Sequence, residues 1–513
     1  MTHDEYIVAN RNRRVEDVAL ELSRRKDLDA PFVLRQIEGY QRMRTKVPRW
    51  TEVEGIHFPP RLALEQCSGQ PAAEYKAKVV ERLLASSPPP NGGRWRGADL
   101  TGGMGVDFSF IAPLFITRTY VEQRAELVEA ARHNFPLLGL DKPMADGTKV
   151  QLNIIHGDGA EYLRSLPLTE GHSNALDLRH SNAHDLRQSN AHGLRHSNAL
   201  DLRHCNAHDL RHSNALDLIF LDPARRDAHG GKTVLIEDCE PNVAALLPLL
   251  RAKARFTMVK LSPMLDLHRA IATLHAIAPG CVQEVHVFAS GGECKDLLLV
   301  ISGAPAAPPA PAAALAAPAE AAAALAAAPA AAPAAQPVLF AEARLGEFFS
   351  APLSAAPTIY CADERSYFAF TFEEENAAIC PFAPAEALAP GAYLYEPGPA
   401  LMKAGAFRSV AARYGTTKLH ANSHLYVSPT PVADFPGRAF RIERTYSFAK
   451  ADLKALAADL KAEGGKANLT VRNFPSTVAD LRKKLKIKEG GNAYLFATTD
   501  ASERKIIIRC SKI

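Results

Sequence analysis

The chain has 513 residues, which implies about three domains, and a formal net charge of +4, small for the size, so that the chain as a whole is not an obvious polyanion binder and local basic clusters matter more. Its eight cysteines (Cys67, Cys205, Cys239, Cys281, Cys294, Cys361, Cys380, Cys510) form no C-x-x-C pair, which argues against both a structural zinc site and a disulfide framework. The N-terminal segment has no apolar core of the signal-peptide kind, and no strongly apolar run is long enough to span a bilayer, so no membrane association and a cytoplasmic home are expected.

Residues 1–84 read as a helical region. Val15, Val18 and Leu22, then Val33, Ile37 and Tyr40, recur at helical spacing. In GYQRMRTKVPRW, Arg42, Arg44, Lys46 and Arg49 alternate with Tyr40 and Trp50. Two readings stand: a nucleic-acid face of cations and stacking aromatics, or a solvated helix face. A second amphipathic helix follows Pro59-Pro60, beginning in LALEQCSGQPAAEYKAKVVERLL. Cys67 in that run reads as a buried structural thiol.

An α/β sheet domain is expected over residues 85–302. In RGADLTGGMGVDFSF a buried strand ends at Asp99, a glycine-rich turn follows, and a helix begins. Gly102, Gly103 and Gly105 permit a tight turn and close approach of a ligand to the backbone. RTYVEQ is a second strand, ending in Glu122 at the distance where an acidic residue accepts from ribose hydroxyls. NIIHGDGAEYL is a third, ending at Asp158, and LDLIFLDPARR a fourth, ending in Asp222-Pro223-Ala224-Arg225. The nicotinamide G-x-G-x-x-G pattern fits less well, because counting from Gly103 puts Phe108 where a small residue packs helix on strand.

Ahead of the fourth strand, residues 172–215 hold an octapeptide repeat of the HSNALDLR kind, read as a tandem expansion of one loop. Its histidines need no metal, and no metal site is expected. FTMVKL is a fifth strand, and EVHVFAS, GGECK and DLLLVIS form a closing hairpin. Residues 303–337 are nearly pure Ala and Pro; recurrent proline forbids one continuous helix, so this is a semi-rigid linker. A mixed α/β domain is expected over 338–436. A basic βαββ unit follows over 437–513, with Arg472, Arg482, Lys483, Lys484, Lys486, Lys488, Arg504, Lys505, Arg509 and Lys512. Such a patch suits phosphate contact; a solvated helix face is the plain alternative.

The ordered strand ends resemble those of class I S-adenosylmethionine-dependent methyltransferases. The resemblance implies a Rossmann-like seven-stranded sheet. It assigns Asp99, Thr101, Gly102, Gly103 and Gly105 to the methionine part of the cofactor, Glu122 to the ribose and Asp158 to the adenine. Asp222, Pro223 and Arg225 would form the catalytic face, and the segment around Gln66-Cys67-Ser68 would close over the methionine end. EQCSGQPAAEYKAK, DLTGGMGVDFSF, LDPARR, YEPGPALMKAGAF, KLHANSHLYVS and VRNFPSTVADLRKKLKIKEGG together resemble a bacterial family. That family has a helical N-terminal part, a class I core, a ferredoxin-like domain (here 338–436) and a THUMP-like domain (here 437–513). It implies RNA, transfer or ribosomal, as the methyl acceptor, with no oligomeric state specified. A small-molecule or protein methyltransferase and a non-catalytic RNA-binding protein are the alternatives. Arg225 replaces the aromatic residue of amine-methylating relatives, which leaves ring nitrogen, carbon and ribose oxygen open. Carbon methylation of uridine requires a cysteine, for which Cys239 and Cys294 are candidates.

Overall fold

The computed structural model describes residues 2–86, 94–167, 216–225, 235–303 and 356–513. The octapeptide repeat, Arg226, Asp227 and nearly all of the Ala/Pro tract lie outside the described residues. The chain forms two compact units. The first runs to Lys260 and takes in His268–Cys281 and the chain from Val300; the second holds Leu261–Leu267, Val282–Leu299 and the C-terminal part.

The first unit opens with helices α1 (His3–Asn10), α2 (Val15–Leu22), α3 (Ala30–Lys46), α4 (Pro48–Thr51), α5 (Arg61–Gln66) and α6 (Gln70–Ala85). Thr2 and Glu5 form a capping box on α1, and the Asp29 carboxylate accepts from Phe32 N–H at the start of α3, so the starts are set locally. Tyr6, Val18, Leu22, Val33 and Ile37 close a small core between the first three helices. A second core joins Met43, Val47, Trp50 and Phe58 to Met104, Val106 and Phe110. Trp50 is fully buried there and donates its indole N–H to Ser109 Oγ at 3.0 Å. It therefore does not serve as an exposed stacking aromatic, and Arg42 and Lys46 beside it are occupied by Glu38 and by the carbonyls of Leu64 and Glu65.

The sheet follows: β1 (Arg96–Asp99), α7 (Val106–Ile111), β2 (Thr117–Glu122), α8 (Ala125–Leu137), β3 (Gln151–His156), α9 (Gly159–Ser165), β4 (Leu216–Leu221), the short β5 (Ala224–Arg225) and β6 (Cys239–Glu240), α10 (Val243–Lys253), β7 (Ala254–Leu261) and α11 (Leu267–Ile277). The five long strands lie in the order β7-β4-β1-β2-β3, and each adjacent pair is parallel. From β1 the chain winds outward through β2 and β3, then returns to the other side of β1 for β4 and β7. The reversal of winding falls between β1 and β4, and it is at the carboxyl ends of such strands that open α/β sheets take their ligands.

In the second unit, β8 (Val282–Ser290) and β9 (Glu293–Ser302) are sheet neighbours joined through Gly291 and Gly292, the expected hairpin. The expected count of seven strands is exceeded, because β10 (Thr358–Ala362) pairs in parallel with β8 and β11 (Tyr367–Phe370) pairs antiparallel with β10. After helix α12 (Phe372–Ala377) come β12 (Tyr393–Pro397), α13 (Pro399–Ala404), α14 (Ser409–Tyr414), β13 (Thr417–Lys418) and β14 (Tyr426–Ser428). The rest is β15 (Gly437–Ser447), α15 (Lys450–Ala462), β16 (Asn468–Arg472), α16 (Val478–Leu485), β17 (Ala493–Thr499) and β18 (Lys505–Lys512). One sheet, β13-β14-β12-β15-β18-β17-β16, carries all of these strands, with β15 paired on one side to β12 and on the other to β18.

Candidate active site

The carboxyl ends of β1, β2, β3 and β4 bring the expected acidic residues to one edge of the sheet. Asp99 closes β1 and is 3% exposed. Its Oδ1 accepts from Thr101 N–H at 2.9 Å and from the Thr101 hydroxyl at 3.4 Å. Burial, with Asp107, Asp222 and Glu122 nearby, raises its carboxyl to about 8. The turn that follows is packed too closely for a side chain at Gly102 or Gly105. A Cβ on Gly102 would stand 2.1 Å from the Tyr120 ring, and Gly105 sits at φ +84° with Phe135 2.6 Å from where its Cβ would be. Tyr120, at the centre of β2, holds the loop from below by donating its hydroxyl to Gly103 O at 2.5 Å.

Glu122 ends β2 directly beneath this loop. Its Oε2 accepts from Gly103 N–H at 2.7 Å, and its Oε1 from Arg124 N–H at 2.9 Å. Asp158 follows β3 and caps α9, accepting from Glu161 N–H at 2.8 Å, while Gln123 donates to its other oxygen at 2.6 Å. Asp222 follows β4. Its own N–H donates to Thr101 Oγ1 at 2.6 Å, tying the glycine loop to the fourth strand. Pro223 is buried behind it. The backbone of Arg225 pairs with Cys239 in the β5–β6 ribbon.

Packing adds residues that spacing did not mark. Lys260, near the end of β7, donates to Asp222 Oδ2 at 2.6 Å and lies 3.8 Å from Asp107 Oδ2. Asp107, in the first turn of α7, accepts from Lys76 Nζ at 2.9 Å and from Ser68 Oγ at 2.8 Å, and Lys76 also donates to Ser68 Oγ at 2.9 Å. Lys76 is fully buried. Burial would lift the Asp107 carboxyl, but Lys76 and Lys260 together hold it below the usual range. Asp222 is the open member of this cluster, its side chain 38% exposed. Partial desolvation pushes it above the ordinary range while Lys260 pulls it back. The one signal in the sequence was position. Ser68 lay in the segment expected over the methionine end, Asp107 in the quoted glycine motif and Lys260 at the end of a strand.

The cysteine candidates have the wrong chemistry for a nucleophile. Burial pushes the Cys294 thiol up to about 11, so it is protonated at neutral pH. Cys239 is buried, its Sγ 3.7 Å from Leu235 O. Burial also raises the thiol of Cys67. Among the described residues no group of three His, Cys, Asp or Glu side chains is placed to hold a metal, and no helix is long and apolar enough to cross a membrane.

The donor set suits S-adenosylmethionine. Glu122 and Asp158 offer acceptors to hydroxyls and an amino group, the glycines of the loop after Asp99 bring bare backbone to the strand ends, and the cluster of carboxylates favours a cationic ligand. Comparison with solved structures gives the same fold. A candidate methyltransferase from Porphyromonas gingivalis W83 is 28% identical with a TM-score of 0.67, over 99% of this chain and 97% of that one. A human methyltransferase 10 domain containing protein (13% identity, TM-score 0.31) matches over 51% of this chain and 95% of its own. A candidate RNA methyltransferase from Pyrococcus horikoshii (12%, 0.28) matches over 52% and 100%. These two overlap too little in space to carry weight. No curated protein matches. Family models identify a ferredoxin-like domain at residues 393–436 and a THUMP domain-like region at 437–512. The chain therefore joins a class I methyltransferase fold to C-terminal ferredoxin-like and THUMP-like domains.

Proposed function

We propose that this protein transfers a methyl group from S-adenosylmethionine to RNA. One observation carries the reading: Asp222, Asp99, Glu122 and Asp158 stand side by side at the carboxyl ends of four adjacent parallel strands, around a glycine-rich loop. In this reading Asp99, Thr101 and the Gly102–Gly105 loop hold the methionine part, Glu122 the ribose and Asp158 the adenine. The cofactor supplies an electrophilic methyl group. The protein aligns an acceptor in line with it and excludes water, which is where most of the rate gain in such a displacement arises. Asp222, the open carboxylate of its cluster, takes the proton that the acceptor loses. Pro223 stiffens the turn, and Arg225 follows on the same ribbon as a phosphate or base contact.

RNA as the acceptor is supported by the THUMP-like region and by exposed lysines on α16. The Porphyromonas relative, similar along its whole length and carrying a methyltransferase name, supports the reaction class. The test is calorimetric titration with S-adenosylmethionine, with NADH as control, followed by labelled methyl transfer onto bulk RNA. Saturable binding is expected, weakened about 10- to 100-fold in Glu122→Ala, since each hydrogen bond to a charged acceptor contributes about 1.5–3 kcal/mol. Binding of NADH instead sinks the reading. Binding of the methionine cofactor with label entering protein or small molecules, and none in RNA, moves the acceptor to those classes.

A further inference from the structure

Behind the strand ends, two cations and two carboxylates alternate: Lys76, Asp107, Lys260, Asp222. The first pair is locked. Lys76 is fully buried, and with Ser68 it already satisfies both oxygens of Asp107 at 2.8–2.9 Å. Lys260 is held differently, with a close contact of 2.6 Å to Asp222 and a looser one of 3.8 Å to Asp107. The sheet sets this placement. β4 and β7 are parallel partners in register through Leu221 and Val259, so the next residues of each, Asp222 and Lys260, leave adjacent strands at the same level. Lys260 is 12% exposed and Asp222 38%, so an acceptor entering from solvent meets the carboxylate first.

We propose that Lys260 is a positioning residue for the transfer reaction. It holds Asp222 ionised and aimed before an acceptor arrives, then turns to Asp107 when the acceptor takes its place on the carboxylate. Asp107 serves as the reserve partner because Lys76 keeps it ionised whatever Lys260 does. An ammonium within hydrogen-bonding distance favours the charged form of a carboxylate strongly, and Asp222 must be unprotonated to accept a proton. The purpose of the device rests on the methyl-transfer reading, but the charge coupling belongs to the protein alone and is measurable without substrate.

The experiment follows carboxyl carbon resonances of protein labelled with [4-13C]aspartate, with Asp222→Asn identifying the Asp222 signal. Among the described residues, the charged groups facing Asp222 are Lys260 on β7, Asp107 on α7, Lys76 on α6 and Asp99 on β1. Lys260→Met and the polar Lys260→Gln are each expected to raise the Asp222 midpoint by about one pH unit or more, and Lys260→Arg to leave it near the wild-type value. In Asp222→Asn the Asp107 carbon signal moves as Lys260 turns to it. An Asp222 midpoint that stays put in folded Lys260→Gln overturns the coupling, and an unmoved Asp107 signal overturns the reserve role. Calorimetry with S-adenosylhomocysteine runs alongside. Wild-type protein that fails to bind it defeats the functional reading, while the titration still decides the role of Lys260.

Discussion

At the scale of single residues, the site is a problem in placing carboxylates where water is scarce. Asp99 is nearly sealed, and its carboxyl is raised to about 8 by burial and by three acidic neighbours. The folded protein therefore keeps a proton that the unfolded chain releases near pH 4, about the free aspartate value. Between those limits the native state binds more protons, so stability falls as pH rises toward 8. Asp99→Asn keeps an oxygen for Thr101 and removes the titration. The variant is expected to lose less stability than wild type between pH 5 and pH 8.5, by about 4 kcal/mol, read from urea midpoints at the two pH values. Equal losses would mean that Asp99 is ionised in the folded state. The acidic residues were legible in the sequence because each stands at the end of a strand-like run, Asp158 beside Gly and Asp222 beside Pro. Their counter-ions were not. Lys76 reaches Asp107 only because α6 packs on α7, and Lys260 reaches Asp222 only because β7 lies beside β4; neither adjacency leaves a spacing in the chain.

At the scale of elements, the glycine loop is braced from two sides, by the rings of Tyr120 and Phe135 below and by the Lys76–Asp107 pair behind. Tyr120 fills the space where a Cβ on Gly102 would lie, so Gly102→Ala forces the ring or the loop to move. Overpacking of this kind costs about 1–3 kcal/mol. It is expected to weaken S-adenosylhomocysteine binding as well, since the same turn carries Gly103 and its bond to Glu122. Lys76→Met should cost more, about 3–5 kcal/mol, because it strands a buried carboxylate whose remaining cation is 3.8 Å away. Urea unfolding of both variants checks the order; a Lys76→Met loss below that of Gly102→Ala would show that Lys260 and Ser68 suffice for Asp107. Helices and strands here were readable from periodicity, since apolar runs such as LDLIFL become wholly buried strands. The GYQRMRTKVPRW segment shows the limit. Alternating cations and aromatics look alike on a nucleic-acid face and on a solvated helix, and the burial of Trp50 against Ser109, far off in sequence, leaves no mark in the spacing.

At the scale of the whole molecule, the ferredoxin-like and THUMP-like matches meet at residue 437, yet no break in structure falls there. β15 begins at that point and hydrogen-bonds to β12 of the first and β18 of the second, so the two act as one sheet. Sequence alone places a boundary between two folds at this point because the pairing partners that cross it, such as Leu394 and Phe440, lie far apart along the chain. The basic character of the THUMP-like part also changes once its ion pairs are known. Arg472 is paired with Glu396, Arg482 with Glu489, Arg504 with Asp500, and Arg509 with Glu443 and Glu463. Lys484 lies over the Phe448 ring at 4.1 Å. Three exposed lysines without such pairing among the described residues, Lys483, Lys486 and Lys488, gather at the last turn of α16 and just beyond it. If RNA phosphates meet this unit, those three should supply the counterion release. Replacing all three by glutamine is expected to weaken binding to bulk transfer RNA and to lower the slope of log affinity against log salt by about 2, roughly 0.7 for each single-strand phosphate no longer neutralised. Arg504→Gln, which removes a cation already neutralised by Asp500, should leave that slope unchanged, and neither variant should alter S-adenosylhomocysteine binding. Filter-binding isotherms at several salt concentrations decide the matter. A triple variant with the wild-type slope would make this lysine cluster an ordinary solvated helix end and move RNA recognition to another face.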